Sequence, residues 1–454
     1  MVKSSRCIEE TEAFIEDHLK VVSAVAAWRD KGFPKEDSPL SGTWPIKLSS
    51  TTNALSLDGH RHLTKAAHCI LSAERLERRI TKETARRALL EAYDEEIARV
   101  LAPPSTPRYE LSSEKIVRAA RRTIAKASGS DGVYVFPVVL GRKSKATEFR
   151  FGPIEMLSAE RFVEKYDGPI QSVRSREGGS KAADDWHEYA ATYDHFACVE
   201  LMGYEAEQGW KAARDAAEAV LNLVRITFGF SATDRVRLGL QLVREPKQAR
   251  LILRTEGSPS FSISYGGVQP LLADDWPDRF RREIGPGWVL VGEFLRWFLE
   301  NKRPDDPIIQ RLIYANRLFA EAYSEPSEPI RLVRVVSALE ALAATADRLK
   351  AHSVALRSSY AGGWGDSARA LEAYDAVREA YRIRNLVVHG DIALDDPQAQ
   401  AAFLKLDKFL LPIVVGFYAI YRHVSSRKPQ SISALRRALD EVSPWMLWCP
   451  SDFF

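Results

Sequence analysis

Tyr381-Arg382-Ile383-Arg384-Asn385-Leu386-Val387-Val388-His389-Gly390-Asp391 closes an amphipathic segment that begins near Asp366-Ser367. Asp366 or Ser367 can cap the start of a helix there, and Gly390 can stop it. At about 100° per residue, Ala373, Ala376, Ala380, Ile383 and Val387 fall on one stripe suited to the core of their own domain. Tyr374, Tyr381 and Val388 run along a second apolar face, flanked by Arg384, Asn385 and His389. Glu372, Asp375, Glu379 and Arg382 fill the solvent side. An arginine, an amide and an imidazole each need a polar partner, so they suit a dry core poorly. The pattern predicts a helix that buries one face and turns the other toward a second chain or a substrate.

The chemistry offered by that second face is specific. Arg384 carries a permanent charge on a planar fork that matches phosphate oxygens. His389 brings an imidazole, which trades protons near neutral pH. Their spacing of five sets the two side chains about 140° apart on an ideal helix, so they flank a groove rather than stack. A second copy of the helix across a two-fold axis closes such a groove. Together the pair has the means to cleave RNA without a metal. The imidazole moves protons for the attacking 2′-OH or the leaving 5′-oxygen, and Arg384 steadies the phosphate charge.

The run Arg384-Asn385-x3-His389, followed by Gly390, resembles the R-[polar]-x-x-x-H signature of HEPN ribonucleases. Upstream, the segment Arg331 to Leu342, with Glu340 inside it, resembles the first helix of the Apea-like branch of that superfamily. The resemblance covers roughly residues 305 to 425. It implies a four-helix bundle that dimerises, so that two Arg/His pairs make one composite site. It also implies a metal-independent endoribonuclease that leaves 2′,3′-cyclic phosphate ends. Reported members act as toxins or antiphage effectors in abortive infection, some on tRNA. Arg384, His389 and Asn385 are the residues that match the motif. Glu340 either orients Arg384 or His389, or is an edge charge or a structural partner of an arginine. The rival expectation is a non-catalytic HEPN module, in which the same groove serves dimerisation or binds a nucleotide or protein. The bare Arg-x4–6-His spacing is common, since Arg61/His68 and Arg382/His389 satisfy it too. The conjunction with Asn385, the apolar intervening residues, Gly390 and the Glu340 helix singles out Arg384.

The whole chain predicts an α+β protein, predominantly α. Its 454 residues suffice for two or three domains. The expected divisions are a helical region over 1–128, a mixed α/β region over 129–304, the HEPN-like helices over 305–430 and a tail over 431–454. A formal charge of +3 is nearly balanced, so contact with nucleic acid has to come from a local patch. The opening segment, Ser4 to Lys31, is charged and amphipathic rather than a secretory leader. The apolar run Phe409 to Tyr421 is short for a membrane span and holds Pro412. Cys7, Cys69, Cys198 and Cys449 lie far apart, as reduced thiols in a cytoplasm do. No P-loop, dinucleotide-binding glycine cluster, Gly-x-Ser-x-Gly or zinc-protease motif occurs, so no cofactor is expected. His60, His62 and His68 lack a completed ligand set, and no metal is expected there.

Taken in order, the chain predicts a helix capped by Ser4 or Ser5, then a long helical stretch from about Leu63 to Ala102. Ser112 opens a further helix whose Lys115, Arg118, Arg121, Arg122 and Lys126 are basic. A hairpin is expected next, Val133 to Leu140 and Thr147 to Met156, around the basic turn Arg142-Lys143-Ser144-Lys145. Helix and turn together form a candidate RNA-binding patch, although a solvated basic face is the commoner meaning of such a run. Helices are expected over Trp186 to Tyr204 and Trp210 to Phe228, and a second hairpin around Gly257 to Pro259. Trp276, Trp288 and Trp297 read as core packing. Residues 1 to 300 are expected to recruit RNA or to sense a trigger, for which a phage-derived or regulatory protein is the candidate. The other expected partner is a second copy of the chain.

Overall fold

The computed structural model describes residues 2–30, 43–45, 48, 54–100, 111–127, 132–140, 148–175, 181, 184, 193–229, 233, 236–239, 247–252, 260–265, 272, 274–285, 287–301, 306–325, 327–343, 350–363, 366–393, 396–428 and 431–441. Two compact units emerge. One holds Met1–Gly132, Leu201–Lys211 and Asn301–Pro304; the other holds Val133–Glu200, Ala212–Glu300 and Asp305–Phe454. The expected break near residue 128 lies close to this division. At the expected break, Pro304 ends the last segment of the first unit and Asp305 returns to the second, which holds both the sheet and the C-terminal helices.

The first unit comprises α1 (Val2–Asp30), a short β1 (Trp44–Pro45) and β2 (Ala54–Leu55) ladder, α2 (Leu57–Glu74), α3 (Lys82–Val100) and α4 (Ser113–Ala127). Apolar side chains at helical spacing, among them Phe14, Leu63, Ile70, Leu89, Tyr93, Ile116 and Ile124, meet in one core. Burial of each such large side chain contributes about 1.5–3 kcal/mol. Helix α1 already starts at Val2, ahead of the expected serine caps. The predicted stretch from 63 to 102 is two helices. Arg75, at φ 57°, turns left-handed and donates back to the end of α2. Thr81 then caps α3, its hydroxyl accepting from the Thr84 amide at 3.1 Å. Glu205 accepts from the Thr81 amide at 2.6 Å, an anion placed where the helix dipole favours one.

In the second unit the strands are β3 (Gly132–Val139), β4 (Glu148–Phe151), β5 (Ile154–Ser158), β6 (His195–Leu201), β7 (Arg237–Leu238), β8 (Lys247–Ile252) and β9 (Ser260–Tyr265). Between them come α5 (Ala159–Arg174) and α6 (Ala206–Phe228), whose first residues belong to the other unit. The main sheet runs β4-β5-β6-β3-β7, with β3–β7, β4–β5 and β5–β6 antiparallel. This corrects the expected hairpin. Strand β4 pairs with β5, not β3, because Gly152 at φ +59° with Pro153 makes a two-residue loop of the hairpin type. Part of the predicted helix from 186 to 204 is also wrong, since His195–Leu201 is strand β6. Five of its first six residues are buried, and such a continuous apolar run has no alternation to betray it. The second hairpin is β8–β9, antiparallel as expected.

The chain continues as α7 (Trp276–Ile284), α8 (Gly287–Glu300), α9 (Pro307–Ser324), α10 (Glu328–Ala343), α11 (Lys350–Gly363), α12 (Ser367–His389), α13 (Pro397–Ser425) and α14 (Ile432–Glu441). Trp276 and Trp288 pack with Phe149, Phe151 and Phe280 in an aromatic cluster, and Trp297 lies against Phe294. Each of α10, α11, α12 and α13 packs against the other three. Leu332, Val335, Val336, Leu339, Leu342 and Ala343, the predicted stripe of α10, are all buried. The protein is thus predominantly helical, with a small sheet. Among the described residues, no helix is long and apolar enough to cross a membrane. Cys449 and the aromatic end of the tail lie outside the described residues.

Candidate functional site

Helix α12 carries the candidate site, and its ends are the predicted ones. Asp366 accepts from the amides of Ala368 (2.9 Å) and Arg369 (3.1 Å). At the other end Gly390, at φ 77°, donates to Val387 O at 3.2 Å, and the Asp391 amide reaches Leu386 O at 2.8 Å. Ala373, Ala376, Ala380, Ile383 and Val387 are buried, so the stripe faces the bundle interior.

One expectation for the opposite face fails. Tyr381 is only 6% exposed and donates its hydroxyl to Glu340 Oε1 at 2.5 Å. Its side chain is largely enclosed by its own chain. The wheel angle placed it at an edge, and α10 covers that edge. Val388 is 52% exposed, and Tyr374, half-buried, shares a 2.9 Å hydrogen bond with His352 Nδ1.

Around Tyr381 a polar cluster assembles from three helices. Glu340, on α10, has a side chain only 11% exposed. It accepts from Tyr381, forms an ion pair with Lys350 Nζ at 3.0 Å, and lies 3.6 Å from Arg384 Nη2. Arg384 Nη1 donates to Asn385 Oδ1 at 3.0 Å, and its Cζ stands 5.8 Å from the centre of the Tyr381 ring. Burial, the bond to Glu340 and the Glu340 charge push the Tyr381 hydroxyl up to about 12, with Arg384 acting in the opposite direction. At neutral pH it therefore stays a proton donor to Glu340. Arg384 Nε is buried without a hydrogen-bond partner. The guanidinium is thus held from three sides, its side chain 23% exposed.

His389 sits apart from this cluster. It is exposed in the last turn and has no hydrogen-bond partner among the described residues. Five residues of helix separate it from Arg384 by about 7.5 Å along the axis and about 140° around it. Glu340 contacts Arg384 and, among the described residues, not His389. Of the four residues predicted for catalysis, Arg384, Asn385 and Glu340 converge and His389 does not join them within one chain. No sequence pattern points to Lys350, because only the packing of α11 on α10 brings it to Glu340. Beside the cluster lies an open cleft of about 650 Å³, lined by Asn385, Tyr381, Arg378, Arg382 and Lys405 among others. Arg382 is committed there to Glu379 through two bonds, 2.8 and 3.0 Å.

The predicted RNA-binding residues divide into three groups. Lys115 pairs with Glu96 at 3.8 Å, and Arg121 pairs with Glu74 at 3.3 Å. Arg118, Arg122 and Lys126 are exposed on α4, with no acidic partner among the described residues. Arg142, Lys143 and Lys145 lie outside the described residues. The histidines near the start of α2 have protein partners: His62 Nδ1 is 2.8 Å from Glu10, and His60 Nε2 is 3.0 Å from Arg86. No protein-family model, no curated protein and no solved structure matches the chain.

Proposed function

We propose that the α10–α13 bundle is a HEPN-type helical domain acting as a metal-independent endoribonuclease. On this reading it works in the cytoplasm as a homodimer, in antiphage defence or toxin-like growth arrest. The observation that carries the reading is the pairing on α12 of a fixed cation with a free imidazole. Arg384 is braced by Glu340, Asn385 and Tyr381, and His389 stands open to solvent at the helix end. Two copies related by a two-fold axis bring two such pairs to one phosphate. The 2′-oxygen bonds to phosphorus as one imidazole takes its proton. The bond from phosphorus to the 5′-oxygen breaks as the other, protonated imidazole supplies a proton to that leaving oxygen. Arg384 stabilises the charge on the non-bridging oxygens. The products are a 2′,3′-cyclic phosphate and a 5′-hydroxyl.

A second reading rests on the same cluster. Glu340 and Lys350 hold Arg384 in a network that also suits a purely structural arginine, in a bundle that binds a partner without cleaving RNA. One experiment separates the two. Purified protein is incubated with total RNA, tRNA included, in the presence of EDTA. Discrete fragments ending in cyclic phosphate are expected, with Arg384→Ala and His389→Ala each slower by about 10²–10³-fold. Full activity in both folded variants sinks the site. No cleavage by any form, together with a cellular effect that survives His389→Ala, selects the binding module.

A further inference from the structure

The first unit carries a surface that the α12 reading does not use. Helix α4 buries Ile116, Val117, Ala120 and Ile124 and turns its basic side outward. On that side Lys115, Arg118, Arg122 and Lys126 fall within an arc of about 80°. Ion pairs to Glu96 and Glu74 occupy Lys115 and Arg121, which anchor α4 to α3 and to the end of α2. Arg118, Arg122 and Lys126 remain exposed, one turn apart and so about 6 Å from each to the next along the axis. Glu114, the only acid of the helix, stands one turn before Arg118 at the start of this row, and the three cations follow it without another acid.

We propose that this row binds the phosphate backbone of a nucleic acid strand. The alternatives lack their usual marks. A protein interface needs a buried apolar or aromatic anchor, and no large exposed apolar side chain lies on α4. A membrane-surface helix needs an apolar face free to insert, and the apolar face of α4 is in the core. Regularly spaced cations without anchors fit a partner with regularly spaced charge and no side chains to recognise. The inference stands whether or not α12 cleaves RNA.

The test is fluorescence anisotropy of the full chain with a labelled single-stranded oligothymidylate, which lacks the 2′-OH and is bound without being cut. Three backbone contacts predict a log–log salt slope of about −2, or about 16-fold weaker binding from about 50 to about 200 mM salt. The triple variant Arg118→Glu, Arg122→Glu, Lys126→Glu should flatten this slope and weaken low-salt binding by at least about tenfold. The matching triple glutamine variant replaces it if the reversal unfolds the protein, as checked by circular dichroism. Arg61→Glu with Arg87→Glu, exposed cations of the same unit, should leave binding unchanged. The same measurement with oligouridylate identifies the source: tighter binding points to RNA, and equal binding to the backbone alone. The proposal falls if the wild type does not bind at low salt, or if the triple variant keeps the slope. It also falls if polyglutamate competes as well as the oligonucleotide at equal charge.

Discussion

A half-buried carboxylate offers the sharpest test of the energetics of the bundle. Asp407, on α13, faces Tyr323 of α9, whose hydroxyl donates to it at 3.4 Å, and Arg331 of α10 lies nearby. Burial pushes its carboxyl from 3.8 up to about 6, against the lowering effects of the Tyr323 bond and the Arg331 charge. The folded protein thus holds the proton more tightly than the unfolded chain. Stability is full below the unfolded value and falls as pH rises through about 6. At about 1.4 kcal/mol per pKa unit, the loss is about 1–2 kcal/mol at pH 5 and about 3 kcal/mol at pH 7.5. Asp407→Asn keeps an acceptor for Tyr323 and removes the ionisation. The variant should therefore gain on the wild type by about 1–2 kcal/mol more at pH 7.5 than at pH 5. Urea unfolding of both proteins at the two pH values measures this directly. A difference between wild type and variant that does not change with pH, or that shrinks as pH rises, refutes the reasoning.

Two further outcomes follow from contacts within the bundle. Glu340→Ala leaves the Tyr381 hydroxyl and the half-buried Arg384 without their acceptor, and should cost about 2–3 kcal/mol. Glu340→Gln, which keeps an acceptor, should cost about half as much, and denaturant midpoints within error of wild type for both would remove the cluster from any structural role. Gly416→Ala drives a methyl group into the Ala361 carbonyl, 2.6 Å from its carbon, where α13 crosses α11. Backbone cannot yield as a side chain can, so the cost should reach at least about 3 kcal/mol, visible as lost solubility or a lowered Tm. A Gly416→Ala protein as stable as wild type would mean that the two helices pack less closely than described.

Features that depend on one segment at a time were legible in the sequence. Asp366 and Gly390 bound α12 because a cap and a stop act through their own backbone neighbours. The stripes of α10 and α12 point inward because periodicity alone decides which face is apolar. The failures all involve a neighbour that the sequence does not name. Tyr381 was assigned to an outer face, and α10 lies over it. Strand β6 reads as helix in the sequence because a strand buried on both sides has no polar alternation. The break at Arg75 was missed because a left-handed arginine has no signature of the kind glycine provides. The hairpin was given to β3 because Arg142 to Lys145 looked like its turn, although Gly152-Pro153 supplies a tighter one ten residues later.

The candidate site shows the same division between local pattern and packing, and this bears on how it would work. Arg384 has a fixed environment, with a carboxylate, an amide and an aromatic ring around it. His389 has only the end of its own helix. A reacting phosphate must lie within about 3 Å of the imidazole that moves its protons and close to the cation that balances its charge. One α12 turns these two groups about 140° apart, so a single chain presents them to different sides of the helix. On the proposed reading, the braced Arg384 and the unpartnered His389 of one helix make half of a catalytic arrangement. The missing half has to come from whatever packs along Val388 and the last turn. In the proposed dimer, a second α12 across a two-fold axis would bring both rings and both cations to a common groove, so the proposed activity requires the proposed dimer, whereas a dimer that only binds does not require the activity.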